Sequence, residues 1–156
     1  MPPTIRITAV CAFFRDDHLF VLADVNPAKQ QGYFRLIGGE IRFGEAGRDA
    51  IARIIREEIG AEITQRYRIE MLENIDPHGN EPGHEIVQVF TAQFTDPLFN
   101  ELDVVFGQHP DGTPIRACWK PFADFIEGRD TLYPAGLLKL LLDWREMLGV
   151  LTDGAE

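Results

Sequence analysis

A single α/β domain, with a mixed β-sheet covered by helices, is the fold class that this sequence predicts. Three observations predict it. The run TIRITAVCAFF alternates through Ile5, Ile7, Ala9, Cys11 and Phe13, as a half-buried strand does. Between Ala46 and Ile59 the apolar spacing becomes helical. Further strand-like runs then lead to a last apolar helical stretch, AGLLKLLLDWREML. Strands that surround one internal helix and precede a terminal one fit a sheet with helices packed on it. The 156 residues, 45% hydrophobic and 26% charged, suit one compact domain over 1–156 with a core at about 5–148.

The elements follow in order. Arg15-Asp16-Asp17 turns the first strand into HLFVLADV, a hairpin. NPAKQQG is a loop, and YFRLIGG is a short strand that ends in paired glycines. After the helix, EITQRYRIEMLENI is extended, DPHGNEPGH is a loop and EIVQVFTAQF is a strand. LFNELDVVF and TPIRACWKP are read as two more strands, the second introduced by the turn HPDG. Tyr133-Pro134 sets proline near the first turn of the final helix, and Gly149 is expected to end it. Phe90 and Phe94 read as core, and Trp119 and Trp144 are too isolated to form a base-stacking platform.

A formal charge of −10 argues against a nucleic-acid backbone or an anionic membrane as the main partner. It does not argue against a small polyphosphate, because a bound divalent cation inverts the local field. Cys11 and Cys118 have no metal-ligand spacing and read as small core residues rather than a disulfide. Neither a leader-like start nor an apolar run of the ~20 residues that span a bilayer is visible, so a cytoplasmic protein is expected.

The internal helix carries the chemistry. At about 100° per residue, Ile51, Ile55 and Ile59 make one apolar stripe. Glu57 and Glu58 lie off it, and Ile54 falls between them, where a third carboxylate would converge. The wheel therefore places Ile54 away from the buried stripe. Two adjacent acids repel each other unless a cation relieves them. Mg²⁺ takes oxygen ligands from one or two carboxylates together with substrate phosphates. An EE pair alone reads as a solvated helix face. Its surroundings point further: Gly38-Gly39 lets the backbone approach a ligand and offers a carbonyl, and Glu45 suits the helix start, where it caps or orients Arg53.

Written out, Gly39 is followed by five residues, Glu45, seven residues, then Arg53-Ile54-Ile55-Arg56-Glu57-Glu58-Ile59-Gly60. This resembles the box of the Nudix (MutT-like) hydrolases, G-x5-E-x7-R-E-U-x-E-E-x-G-U, with U a bulky aliphatic. Gly39, Glu45, Arg53, Ile55, Glu57, Glu58 and Gly60 match it. YFRLIGGEIRFGE, the His84-Glu85 segment and WKPFADF are also similar to the family, so the likeness covers about 5–148. It implies a Nudix-like α/β/α sandwich with a central Nudix helix and a C-terminal helix. It also implies Mg²⁺ or Mn²⁺ held by the Gly39 carbonyl, Glu57 and Glu58, with Arg53 and Glu45 fixing the helix.

Two positions depart from the box. Ile54 replaces the glutamate of the Arg-Glu pair, which in the family is commonly a metal ligand, and Ala61 is small where an aliphatic is usual. Glu40 and Arg42 also stand where relatives often carry glycine and glutamate. Arg35 and Arg42 are candidate phosphate contacts and Glu85 a candidate late ligand or base, while His84 reads as structural. The expected activity is a metal-dependent pyrophosphohydrolase acting on a nucleoside diphosphate linked to another group, slowed by Ile54. The alternative is an inactive Nudix-fold binding module or a sensor of a phosphorylated metabolite. Either way the partner is a small nucleotide or other diphosphate compound, and a homodimer stays open.

Overall fold

The computed structural model describes residues 3–26, 31–76 and 83–153. In chain order the elements are β1 (Arg6–Ala12), β2 (Phe14–Arg15), β3 (His18–Asn26), β4 (Gln31–Arg35), β5 (Ile37–Glu40), α1 (Gly47–Ile59), β6 (Ile63–Asp76), β7 (Gly83–Phe94), α2 (Leu98–Glu101), β8 (Val104–Gln108), β9 (Pro114–Pro121), α3 (Phe122–Ile126), β10 (Leu132–Tyr133) and α4 (Leu137–Asp153). The expected mixed pairing is present, divided between two sheets. One runs β5-β1-β7-β6, and the other runs β10-β4-β3-β9-β8 with β2 paired to β3. β1 lies parallel to β7 and antiparallel to β5, so the glycine strand and the helix after it are anchored on a central strand.

Alternation in the strands sorts the core into two layers. Ala9, Cys11, Phe13, Phe20, Leu22, Phe90 and Phe94 pack with Ile51, Ile55 and Ile59 of α1. Ala12, Leu19, Val21, Val87 and Val89 point the other way, onto Phe122, Phe125, Leu137 and Leu141 of α3 and α4. Period-two side chains thus feed both faces, which gives helix, sheet and helix in succession. Cys11 and Cys118 are free, and burial pushes both thiols up. Among the described residues no helix is long and apolar enough to cross a membrane.

The structure corrects four expectations. LFNELDVVF is not one strand: α2 takes its first residues and β8 begins at Val104. Asp96 explains the difference, because its Oδ1 accepts from the Leu98 amide at 2.9 Å and Pro97 precedes the turn, a helix-start signal. Gly149 does not end α4, which continues to Asp153. An exposed helical glycine costs only about 1 kcal/mol relative to alanine, too little to stop a helix unaided. YFRLIGG is not one strand: Gln31–Arg35 forms β4 and Ile37–Glu40 forms β5, and the two lie in different sheets. Pro134 does stand just ahead of α4, and its carbonyl accepts from the Leu137 amide at 3.1 Å.

The fourth correction concerns Ile54, which is 4% exposed. Ala50, Ile54 and Glu58 form a second buried row beside Ile51, Ile55 and Ile59. The helical wheel gives the angle of a residue but not the width of what covers it, and here β5 comes up against Ile54 at Gly39. Of the loops expected over 26–32 and 76–84, the stretches 27–30 and 77–82 lie outside the described residues, while the described ends belong to β3, β4, β6 and β7.

Gly38 is what allows β5 to lie so close to β1. A Cβ at this position would stand 2.2 Å from the Ala9 carbonyl oxygen and 2.8 Å from the Val10 Cα, both backbone atoms that cannot swing aside. Gly38→Ala is therefore expected to lower unfolding stability by about 1–3 kcal/mol, measured by chemical denaturation.

Candidate active site

Helix α1 begins after Ala46, whose side chain makes no cap, and ends at Gly60, which has φ of 71° and donates to the Arg56 carbonyl at 3.0 Å. Glu45 does not cap this helix. It grips Arg53 instead: Arg53 Nε donates to Glu45 Oε2 at 2.8 Å and Nη2 to Oε1 at 2.9 Å. The same guanidinium donates to the Glu40 carbonyl at 3.0 Å and to Glu57 Oε2 at 3.3 Å. Glu45 Oε1 also accepts from the Arg42 amide at 3.1 Å, which closes the turn between strand and helix. One arginine therefore joins the glycine strand, the turn and the acidic helix face. This bidentate hold, helped by the Arg42 amide, brings the Glu45 carboxyl down to about 2.

Gly39, Arg42, Arg53, Ile54, Glu57 and Glu58 line one cavity of about 440 Å³. Ile54 forms part of its wall and rests on Gly39, where a Cβ would meet Ile54 Cδ1 at 3.3 Å. The third seat of the acid cluster is thus filled with hydrocarbon. Among the described residues no three acidic, histidine or cysteine side chains converge as a ligand set. Two carboxylates and the Gly39 main chain remain. A divalent cation fits them for one reason visible in the structure: Glu58 Oε2 is buried and has no hydrogen-bond partner among the described residues. An orphaned carboxylate oxygen at a cavity wall calls for an ion or a water.

Glu58 Oε1, by contrast, is held. His109 Nδ1 lies 2.8 Å from it, and His109 Nε2 is 3.3 Å from Arg35 Nη2. Arginine has no acceptor, so Nε2 accepts and Nδ1 carries the proton that Glu58 receives. Arg35 is itself steadied by Asp24, 3.1 Å from its Nε. Burial pushes the Glu58 carboxyl up, while the His109 hydrogen bond and the Arg35 charge pull against that rise.

His109 was not singled out in the sequence, where HPDG reads only as a turn, and the turn does form, with Gly112 donating to the His109 carbonyl at 2.8 Å. The missing signal is tertiary. A Cβ at Gly107 would lie 2.0 Å from the Glu58 carbonyl oxygen, so glycine lets β8 press on the end of α1 and deliver His109 to Glu58.

Arg35 and Glu85 lie apart from the acids. They line a second cavity of about 410 Å³ with Asp24, Tyr33, Asn74 and Tyr133, and Gly39 is the wall shared with the first. Glu85 accepts from Asn74 Nδ2 at 3.1 Å and from Thr8 Oγ1 at 3.4 Å, so it is tethered at the far side of Gly39. Arg42 is exposed at the acidic cavity, and Glu40, also on its wall, lies 3.9 Å from Arg6. His84 pairs with Glu73 at 3.3 Å.

With this geometry in place, the comparisons are decisive for the family: the NUDIX domain model matches residues 4–140. The chain belongs to the Nudix family of hydrolases. A Nudix hydrolase from Nitrosomonas europaea superposes with a TM-score of 0.66 at 14% identity, covering 92% of this chain and 90% of that one. An ADP compounds hydrolase gives 0.64 at 18%, covering 94% and 76%. A MutT Nudix hydrolase from Burkholderia pseudomallei gives 0.63 at 19%, covering 90% and 97%. None of the curated proteins matches the chain in sequence. The Nudix helix expected from the box is α1, and the helix, sheet and helix order is that of the fold.

Two measurements check the electrostatics. Because Glu45 is held near 2 in the folded chain against an ordinary 4.5, its contribution to stability is complete above about pH 4.5 and is lost as pH falls towards 2. Glu45→Gln is expected to flatten that acid limb of the stability profile. Nitrogen-detected NMR is expected to find His109 as the Nδ1–H tautomer at neutral pH, with the preference relaxed in Arg35→Met.

Proposed function

We propose that the protein is a metal-dependent pyrophosphohydrolase that acts on a nucleoside diphosphate linked to a further group, and that Ile54 makes it slow. The observation that carries this reading is the orphaned Glu58 Oε2 beside Glu57 and Gly39 in one cavity. In this reading Glu57, Glu58 and the Gly39 carbonyl hold Mg²⁺ or Mn²⁺, with waters and substrate phosphates supplying the other ligands. Bound there, the cation supplies charge neutralisation on the diphosphate and a water of lowered pKa.

The chain's own groups do the rest. His109 keeps Glu58 turned so that Oε2 stays towards the cavity. Arg53 and Glu45 keep the helix at a constant distance from Gly39. Arg35 offers a guanidinium on the far side of Gly39, where it can bind a phosphate oxygen, and Arg42 offers another at the mouth. Glu85, fixed by Asn74 and Thr8, bounds the nucleoside side. Ile54 cannot accept a proton, and a lost base costs about 10²–10⁴-fold in rate.

The same Ile54 favours a second reading, an inactive binding module or sensor for a phosphorylated metabolite. Hydrolysis of a broad nucleotide panel by the purified protein separates the two. Slow turnover that needs Mg²⁺ or Mn²⁺ is expected, with Glu58→Gln lowering it at least a hundredfold. If the native chain hydrolyses nothing and Ile54→Glu creates activity, the enzyme reading is wrong and the binding module stands. Ile54→Glu also buries a third carboxylate in the wall. Its melting temperature is therefore expected to fall without divalent cation and to rise on adding Mg²⁺ by more than that of the native chain.

A further inference from the structure

Phe43 is 108% exposed, more than any other large apolar residue among those described. Leaving a phenylalanine ring wholly in water is unfavourable, and here the backbone enforces it. The Glu45 amide donates to the Arg42 carbonyl at 3.0 Å, the Arg42 amide donates back to Glu45 Oε1, and Glu45 is locked on Arg53. Phe43 thus rides on a turn braced at both ends, directly ahead of the helix that carries the acids. It lines the same cavity as Glu57 and Glu58, beside Ile41 and Pro110.

The other end of the site is aromatic as well. Tyr33 and Tyr133 line the second cavity with ring centroids 5.4 Å apart, and Tyr133 Oη accepts from Asn74 Nδ2 at 2.7 Å. The two cavities meet at Gly39. A ligand that passes over Gly39 finds aromatic side chains at each end and the acids and Arg35 between them.

We propose that Phe43 is a stacking platform for a second ring, so that the preferred substrate is a dinucleotide, a diphosphate with a nucleoside at each end. This rests on the hydrolase reading above and goes beyond it by naming the linked group. A nucleoside triphosphate would set its terminal phosphate against Arg42 and leave Phe43 in water. A sugar would bring hydroxyl groups to a bare phenyl face. A base offers a π-face of matching size, and stacking on an aromatic side chain tolerates any of the four bases.

The test compares, for each of the four bases, a dinucleoside diphosphate with the nucleoside diphosphate sugar that carries the same first nucleoside. Hydrolysis is followed with Mg²⁺ or Mn²⁺, and binding is followed by calorimetry with the same metals. Phe43→Ala is expected to lower kcat/KM for the dinucleotide about tenfold more than for the sugar compound, mainly through KM, and Phe43→Trp to restore it. An equal loss on both compounds, or no loss on either, overturns the proposal. If no compound is hydrolysed, the hydrolase reading falls and binding decides: a Phe43→Ala loss confined to the dinucleotide keeps the stacking platform. Equal binding of both compounds, or binding of neither at millimolar concentration, removes it.

Discussion

The site depends on the reach of one guanidinium. Arg53 leaves α1, takes both oxygens of Glu45, the carbonyl of Glu40 and an oxygen of Glu57, and so ties three pieces of chain that share no regular secondary structure. Its side chain is 19% exposed and that of Glu45 is 18%. Exposed ion pairs contribute little because water competes for both charges. This one is mostly covered, bidentate and braced by the Arg42 amide, which is the arrangement in which arginine outperforms lysine. Without it, no ion pair or side-chain hydrogen bond among the described residues would join the glycine strand to the acid face, and their separation would rest on the packing of Ile54 against Gly39 and the connection 41–46.

What Arg53 does for distance, His109 does for direction. It connects Glu58 on one side of Gly39 to Arg35 on the other, so the acidic cavity and the second cavity share one hydrogen-bonded line. A negative charge on Glu58 is thereby balanced in part by a positive group that belongs to the neighbouring cavity. An anion bound at Arg35 would share a guanidinium whose Nη2 already meets His109. The line is short and contiguous, three side chains long.

Most of the fold was legible in the sequence because alternation and helical spacing are local. β1, β3, β7, β9 and α1 are all where the periodicity puts them, and the box spacing located the glycine strand, Glu45 and Arg53 together. The places where reading failed are those where a distant element decides. Ile54 looked exposed on a wheel, and β5 buries it. His109 looked like a turn residue, and Gly107 brings it to an acid 51 positions away. Asp96 is a local helix-start signal, and it accepts from the Leu98 amide at 2.9 Å. Whether Glu57 and Glu58 point into one space could not be read from spacing at all, since adjacent residues on a helix diverge by about 100° and only the wall opposite brings them to one cavity.

Ile54 lying on Gly39 has a consequence for how the protein meets a changing supply of ions. A carboxylate in that seat would put a third anion beside Glu57 and Glu58, and their mutual repulsion would work against closure. Here Ile54 packs hydrocarbon on Gly39, a contact that needs no cation. On the proposed metal reading, the trade would be affinity for readiness: weaker capture, but a pocket whose shape would not have to be rebuilt each time an ion arrived.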